Sequence, residues 1–171
     1  MSGIVWQGVH EFEVASSWSL EGEGLPYAKW FFSQEDAERM MAGEPIALRS
    51  TYALDENDPD ALEAATIPVE DINGPVLLVS GTDDQMWPSD VFGDLVMERL
   101  AASGHPHARR HLKVEGGGHL VFLPVFVTGG NREALPFVFG GTAEADAHGS
   151  VEFWEAMLEF LHEHLDAGGG P

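Results

Sequence analysis

The strongest hydrophobic pattern in the chain is a short apolar run near its centre. Residues 75–81, "PVLLVSG", are almost continuously apolar, are rich in β-branched side chains and lie between Gly-Pro and Gly. This pattern is typical of a strand that is buried on both faces of a sheet. A second strand is predicted within residues 109–119, "RRHLKVEGGGH", where it leads into a glycine-rich turn.

Helical periodicity follows each of these strands. Residues 89–103 predict a helix with Ser89 as its N-cap and Gly104 as its stop. Its apolar stripe consists of Val91, Phe92, Leu95, Val96 and Leu100. A last helix is predicted from Ser150, and its apolar face consists of Val151, Trp154, Met157, Leu158, Leu161 and Leu165. The order strand, helix, strand, helix predicts a βαβα unit, in which a helix joins two parallel strands.

The first 66 residues carry weaker patterns. Residues 3–15 predict an extended segment. Residues 19–32 are punctuated by Gly and Pro and rich in aromatic side chains, so they predict a loop that packs over another part of the fold. We therefore predict one partial domain with a lid-like, helical segment at residues 1–66, the βαβα unit at residues 67–166, and a flexible tail at residues 167–171.

Two short helices are predicted within the lid-like segment. One begins after Ser33, has Asp36 at the capping-box spacing and continues to about Met41. The other begins after Asp58, which a proline follows, and continues to Ala65.

The charge of the chain limits its partners. Asp and Glu number 29 against 8 Lys and Arg, which gives a net charge of −21. Such a surface repels nucleic acid and anionic lipid, so neither is an expected partner. Self-repulsion of this size is screened in a salt-rich cytoplasm, which favours a halophilic source over an acidic mesophilic one.

Composition excludes several further classes of protein. There is no cysteine, which excludes disulfides, thiolate metal sites and a cysteine nucleophile within these residues. No apolar stretch approaches the roughly 20 residues of a membrane span, and the N-terminus lacks the layout of a signal peptide. We therefore expect a cytoplasmic protein without a membrane partner.

Polar side chains follow both predicted parallel strands. Asp83 and Asp84 come directly after the first strand, and His119 comes after the second. The carboxyl ends of parallel strands meet at one edge of a sheet, so these side chains are expected to lie together. An Asp and a His are two members of a catalytic triad, and the acid precedes the histidine along the chain as in α/β-hydrolases. The alternative is that both aspartates are only turn or cap residues.

Three segments, "GPVLLVSGTDDQMWPSD", "EGGGHL" and "FGGTAEADAHGSVEFWEAMLEFLHEHL", resemble the C-terminal domain of the acyl-CoA thioester hydrolase / bile acid-CoA:amino acid N-acyltransferase family. The similarity runs from about Gly3 to Leu165. It implies an α/β-hydrolase fold, an acyl-CoA or other acyl thioester substrate, and no dissociable cofactor. It also implies that Asp84 is the triad acid and His119 the triad histidine, which leaves Asp83 as a local turn or cap residue.

The nucleophile of this family is missing from the sequence. It should stand in a Gly-x-Ser-x-Gly turn or a variant, and none of the ten serines has that frame. We therefore predict an α/β fold that is the C-terminal part of an α/β-hydrolase, with parallel strands, flanking helices and no nucleophile-bearing half. The missing half is expected upstream of Met1. A partial sheet exposes an edge, so association through that edge, including a homo-oligomer, is also expected.

Three functions remain open from the sequence. The first is the acid and base part of an acyl-CoA thioesterase or acyltransferase-like serine or cysteine hydrolase, which is inactive alone. The second is a non-catalytic remnant or interaction module, and the third is another α/β-hydrolase, such as a dienelactone-hydrolase-like esterase. A cheap test is to search the DNA upstream of the first codon for a Gly-x-Ser/Cys-x-Gly run.

Other aromatic and histidine clusters allow weaker predictions. An acyl-chain pocket or plain core is predicted for the apolar residues 120–127 and for the aromatic residues Trp18, Tyr27, Trp30, Phe31 and Phe32. No metal site is expected, and solvated surface positions are predicted for His105, His107, His111, His162 and His164.

Overall fold

A computed structural model describes residues 3–10, 13–122 and 136–165 of the chain. In chain order its elements are β1 (Gln7–His10), β2 (Glu13–Ser16), β3 (Ser19–Leu20), β4 (Glu23–Gly24), α1 (Gln34–Ala42), α2 (Pro59–Ala65), β5 (Val76–Gly81), α3 (Ser89–Ala102), β6 (Arg109–Val114) and α4 (Ala143–Leu165). Two short 3₁₀ helices lie at Arg49–Thr51 and Val69–Asp71. The predicted tail at residues 167–171 and most of the apolar run at 120–127 lie outside the described residues.

The parallel strands β5 and β6 form the centre of the fold. Their register runs from Val76 opposite Arg109 to Gly81 opposite Val114, and α3 is the connection between them. Both predicted strands, the predicted α3 and the mixed α/β class are therefore confirmed. Gly104, in the left-handed conformation at φ +68°, follows the end of α3 as predicted.

Each face of the strand pair is covered by one helix. On one face, Val76 of β5 packs with Val96 and Leu100 of α3 in a buried cluster. On the other face, Leu112 and Val114 of β6 pack with Ala156 of α4 and with Val121 in a second cluster. This two-sided cover explains why β5 is almost continuously apolar in sequence.

The predicted starts of α3 and α4 need correction. Ser89 lies inside the first turn of α3, and the cap position is Pro88, which makes no side-chain capping bond. The last helix begins at Ala143 rather than at Ser150. Its first turn is capped by Thr142, whose Oγ1 accepts a hydrogen bond from the N–H of Ala145 at 3.0 Å.

The predicted buried face of α4 is also wrong. Side-chain exposure lies between 42% and 67% for Val151, Trp154, Leu158, Leu161 and Leu165. The buried side instead carries Asp146, Gly149, Ser150, Ala156 and Phe160. A Cβ on Gly149 would stand 2.5 Å from Cγ1 of Val114, so the helix approaches β6 only because this position has no side chain. Close backbone approach at Gly149, together with burial of Phe160 further along the helix, therefore decides which face packs inward.

The stripe predicted for α3 is partly confirmed. Phe92, Val96 and Leu100 are buried, whereas Val91 and Leu95 are exposed. Phe92 connects α3 to the N-terminal region, because it shares a buried cluster with Ile4, Trp6, Ala28 and Ala65.

The N-terminal region adopts three of its predicted local structures, whereas the predicted loop at residues 19–32 contains a short antiparallel pair, β3 and β4. The extended segment forms the antiparallel pair of β1 and β2. The capping box before α1 is present, since Ser33 and Asp36 each accept a backbone hydrogen bond from the other. Asp58 caps α2 by accepting two backbone N–H groups. No helix among the described residues is long and apolar enough to cross a membrane.

Candidate active site

The loop after β5 holds Asp84 in a fixed orientation. This carboxyl is buried, with 2% exposure. Its Oδ1 accepts the N–H groups of Met86 at 2.9 Å and Trp87 at 3.2 Å, which closes an Asx-type turn. The second oxygen, Oδ2, is thereby directed away from its own loop.

His119 meets that second oxygen. Its Nδ1 lies 3.1 Å from Oδ2 of Asp84, so the two side chains lie together as expected and share a hydrogen bond. An ionised carboxylate can only accept, so the hydrogen bond assigns the proton to Nδ1. That tautomer leaves Nε2 as the basic nitrogen of the ring.

Aromatic rings surround the imidazole. The ring centroid of His119 lies 5.4 Å from that of Trp87, 5.9 Å from that of Phe122 and 6.1 Å from that of Phe139. Trp87 belongs to the turn that also fixes Asp84, so one loop orients the Asp84 carboxyl and packs against the His119 ring. These contacts restrict rotation of the imidazole.

Glycines allow the segments around the pair to pass very close to one another. A Cβ on Gly118 would lie 2.3 Å from the carbonyl oxygen of Gly140, and a Cβ on Gly81 would lie 2.2 Å from that of Gly117. Gly140 also adopts a left-handed conformation, with φ +70°. The glycine-rich turn before His119 thus permits close backbone packing as well as a sharp bend.

The segment at residues 139–141 connects the loop that carries Asp84 to the glycine-rich turn before His119. The carbonyl of Phe139 accepts the N–H groups of Gln85 and His119, at 3.3 and 2.9 Å. Oδ2 of Asp83 accepts the N–H of Gly141 at 2.8 Å. Asp83 therefore acts as a local structural residue, and the structure brings Asp84 rather than Asp83 to the imidazole.

Arg49 also holds the loop that carries Asp84. Its guanidinium donates to the backbone carbonyl of Asp84 at 3.0 Å and pairs with Asp90 of α3 at 2.9 Å. The nearby side chain of Tyr52 has its pKa raised to about 12, chiefly by burial and secondly by the charge of Asp84. Sequence reasoning missed Arg49 and Tyr52, because neither belongs to a motif and both are remote from Asp84 in the chain.

A cavity of about 390 Å³ lies beside the pair at the carboxyl end of β5. Its walls include Val79, Trp87, His119, Val121, Phe122 and Phe153. Ser80 and Ser89 also line it, but Ser80 Oγ is hydrogen-bonded to Nε2 of His111 at 2.8 Å. Within the described part of the chain, β5 pairs only with β6, so its other edge is not paired with a strand.

The predictions for the aromatic residues between Trp18 and Phe32 and for the other histidines are met only in part. The cavity is not lined by any of the five aromatic residues between Trp18 and Phe32, and both of those end residues are largely exposed. His105 and His111 are not surface groups: His105 is buried against the carbonyl of Gly74, and burial lowers the pKa of His111. No cluster of three or more potential metal ligands occurs in residues 3–10, 13–122 and 136–165.

Comparison with known proteins gives consistent matches. The family model described as "BAAT / Acyl-CoA thioester hydrolase C terminal" matches residues 29–167, which include Asp84 and His119. A mouse peroxisomal succinyl-coenzyme A thioesterase is 30% identical over 105 residues, covering 58% of this chain and 24% of the relative. A rat acyl-coenzyme A amino acid N-acyltransferase 2 is 31% identical over 108 residues, covering 61% of this chain and 26% of the relative. Human acyl-coenzyme A thioesterase 1 is 31% identical over 111 residues, covering 61% of this chain and 25% of the relative. The chain spans about a quarter of the length of these curated relatives.

Proposed function

Because the chain belongs to the BAAT / acyl-CoA thioester hydrolase C-terminal family, we propose that it supplies the acid and the general base of an acyl-thioester hydrolase or acyltransferase. The observation that carries this proposal is the hydrogen bond between buried Asp84 and His119 at 3.1 Å. A buried carboxylate on Nδ1 is the arrangement that makes Nε2 of a histidine an effective base.

The proposed reaction has two halves. His119 Nε2 takes the proton from a serine or cysteine nucleophile as that group attacks the thioester carbonyl, and Asp84 stabilises the resulting imidazolium. The imidazolium then gives the proton to the leaving thiolate, which departs as a thiol, and the acyl group stays on the nucleophile. In the second half His119 deprotonates water or an amine, whose attack breaks the acyl–nucleophile bond and releases a carboxylic acid or an amide, while the imidazolium returns the proton to the nucleophile. No step requires a dissociable cofactor.

The nucleophile is proposed to come from a segment outside these 171 residues. The serines at the cavity lack the glycine frame of a nucleophile turn, and Ser80 is already bonded to His111. A strand that paired with the unpaired edge of β5 would deliver such a turn to the cavity. Without it the acid and base have nothing to activate, so the chain alone is proposed to be inactive.

The proposed substrate is an acyl-CoA or another acyl thioester. The mouse and rat relatives are named for succinyl-coenzyme A and acyl-coenzyme A respectively. In this chain, Val121, Phe122 and Phe153 give the cavity apolar walls that suit an acyl chain.

The proposed environment is a cytoplasm with a high salt concentration. Its support is the net charge of −21, which is self-repulsive in dilute buffer and screened in concentrated salt. The mouse relative is named as peroxisomal, so membership of the family does not itself fix the compartment.

The test is an assay of thioester hydrolysis, monitored by the release of free thiol. The chain is assayed alone and with a nucleophile-bearing upstream segment, either fused to it or supplied separately. We expect turnover only with that segment, and we expect His119→Ala to abolish it. His107→Ala is the matched control, because His107 contacts only an asparagine side chain among the hydrogen bonds described. Equal hydrolysis by wild type and His119→Ala would refute the base, and no hydrolysis in any form would favour a non-catalytic remnant.

A further inference from the structure

Two polar residues lie on the buried face of α4, one helical turn apart. Asp146 has 0% exposure and Ser150 has 4% exposure. Positions separated by four residues share one face of a helix, so both side chains point to the same side of α4. Polar groups are costly to bury unless they are hydrogen-bonded, so their partners indicate what they do.

Their partners lie on either side of His119. Oδ1 of Asp146 accepts the N–H of Gly118 at 2.6 Å, and Oγ of Ser150 donates to the carbonyl of Val121 at 2.9 Å. Both hydrogen bonds are buried. The N–H of His119 itself donates to Phe139. The backbone of residues 118–121 is therefore held at three points, and α4 supplies two of them.

We propose that Asp146 and Ser150 are positioning residues that hold His119 in reach of Asp84. The inference rests on the proposed role of His119, because positioning matters to function only if that imidazole acts as the general base. Neither residue touches the imidazole ring among the contacts described; each acts through the backbone that carries it. Gly141 fits the same arrangement, since a Cβ there would lie 2.2 Å from the nitrogen of Gly118 and 2.9 Å from Oδ1 of Asp146.

The roles of the two residues differ in kind. An ionised carboxylate accepting a backbone N–H makes a charge-assisted hydrogen bond, which is about twice as strong as a neutral one. Asp146 also lies near the N-terminus of α4, where the helix dipole favours negative charge. Ser150 makes a neutral hydrogen bond. Removal of the Asp146 side chain is therefore expected to loosen the turn more than removal of the Ser150 hydroxyl.

The test uses the chain as it is and reads the imidazole by NMR. Nitrogen-15 shifts of the ring report which nitrogen carries the proton, and the His119 signals are assigned by their loss in His119→Gln. Wild type is expected to show the Nδ1–H tautomer. Asp146→Ala is expected to give a mixture of tautomers and to lose the Nδ1 proton signal through exchange with water. Asp146→Asn keeps an oxygen that accepts from Gly118, as a neutral hydrogen bond, and is expected to restore most of the Nδ1–H population.

Ser150→Ala is the second variant and decides the question if Asp146→Ala fails to fold. We expect it to reduce the Nδ1–H population less than Asp146→Ala does. The matched control is Ser103→Ala, which removes a serine hydrogen bond to the carbonyl of Leu100 at the end of α3. It should leave the His119 signals unchanged.

Unchanged His119 signals in folded Asp146→Ala and Ser150→Ala would overturn the proposal. The readout needs no turnover, so it separates this inference from the proposed function. Altered imidazole signals in a protein that hydrolyses no thioester even with the upstream nucleophile segment would refute the function and support the positioning. In a hydrolytically active form, Asp146→Ala should lower kcat and leave KM nearly unchanged, with recovery in Asp146→Asn.

Discussion

Replacing Asp84 by asparagine tests the acid and base pair directly, because the surrounding backbone dictates how the new amide must point. Oδ1 of Asp84 accepts the N–H groups of Met86 and Trp87, so this position requires an acceptor. In Asp84→Asn the amide oxygen will take that place, and its NH₂ group will face His119. An N–H donor opposite Nδ1 requires Nδ1 to accept, which moves the ring proton to Nε2. The base is then blocked at the nitrogen that has to receive the proton.

The size of the effect follows from that tautomer. Where the acid of a triad is replaced by its amide and the geometry is retained, kcat falls by about 10⁴-fold because the histidine is held in the wrong tautomer. At about 1.36 kcal/mol for each tenfold change, this corresponds to roughly 5.4 kcal/mol of transition-state stabilisation. The free energy of unfolding should change far less, by about 1 kcal/mol, because both backbone hydrogen bonds survive and one charged hydrogen bond becomes neutral.

Two measurements are needed, with one matched control. Hydrolysis is measured in a form that includes a nucleophile, and the His119 tautomer is read by nitrogen-15 shifts in the chain alone. Asp83→Asn is the control, because Asp83 accepts from Gly141 and from the Gln85 side chain but does not contact His119. It should retain most of the activity and the wild-type tautomer. If Asp84→Asn retained more than a tenth of the activity, or kept the Nδ1–H tautomer, the reasoning would be refuted.

Three further predictions concern stability. Gly118→Ala should lower the free energy of unfolding, measured in urea, by about 1–3 kcal/mol, because its Cβ would stand 2.3 Å from the carbonyl oxygen of Gly140. The control is Gly74→Ala, where a Cβ meets nothing within 4 Å and the change should be neutral or slightly stabilising. Equal losses of stability in the two variants would contradict the packing argument. The pKa of Tyr52 is raised from 10.0 to about 12, chiefly by burial and secondly by Asp84. The unfolded tyrosine therefore ionises first, so the stability that Tyr52 contributes is complete below pH 10 and is lost as the pH rises towards about 12; Tyr52→Phe should show a shallower alkaline decline, and an identical decline would contradict this. Raising KCl towards about 1 M, where the Debye length is about 3 Å, should raise the thermal midpoint, and a constant or falling midpoint would contradict the role assigned to the net charge.

The acid and base pair could be predicted from the sequence because two simple patterns locate it. The run at β5 looks like a strand buried on both faces, residues 109–119 predict a second strand, and parallel strands place their carboxyl ends together. Asp83 and Asp84 follow the first of those ends, and His119 follows the second after Glu115 and three glycines. The choice of Asp84 over Asp83 came from the family resemblance, and in the structure it is Asp84 that contacts the imidazole.

The first part of α4 could not be predicted, because its pattern is not apolar. Residues 143–150 consist mainly of small and polar side chains, and the face that packs inward contains Asp146, Gly149 and Ser150. A search for hydrophobic periodicity therefore begins the helix too late and chooses the stripe that contains Trp154. Arg49 was missed for a related reason, since a supporting contact between distant segments leaves no local signal in the sequence.

The contacts that hold Asp84 and His119 bear on how the proposed nucleophile segment would join them. Asp84 is held by its own turn and by Arg49, and the backbone around His119 is held by Phe139 and α4, all within the described residues. An added nucleophile segment would therefore not have to build the base; it would have to bring a strand, a turn and oxyanion donors to the unpaired edge of β5. Since the acid and base are already ordered, binding of that segment would not bear the entropic cost of ordering them. On this reasoning, a nucleophile segment supplied as a separate chain should restore hydrolysis to a level that depends on its concentration and approaches that of the fused form at saturation.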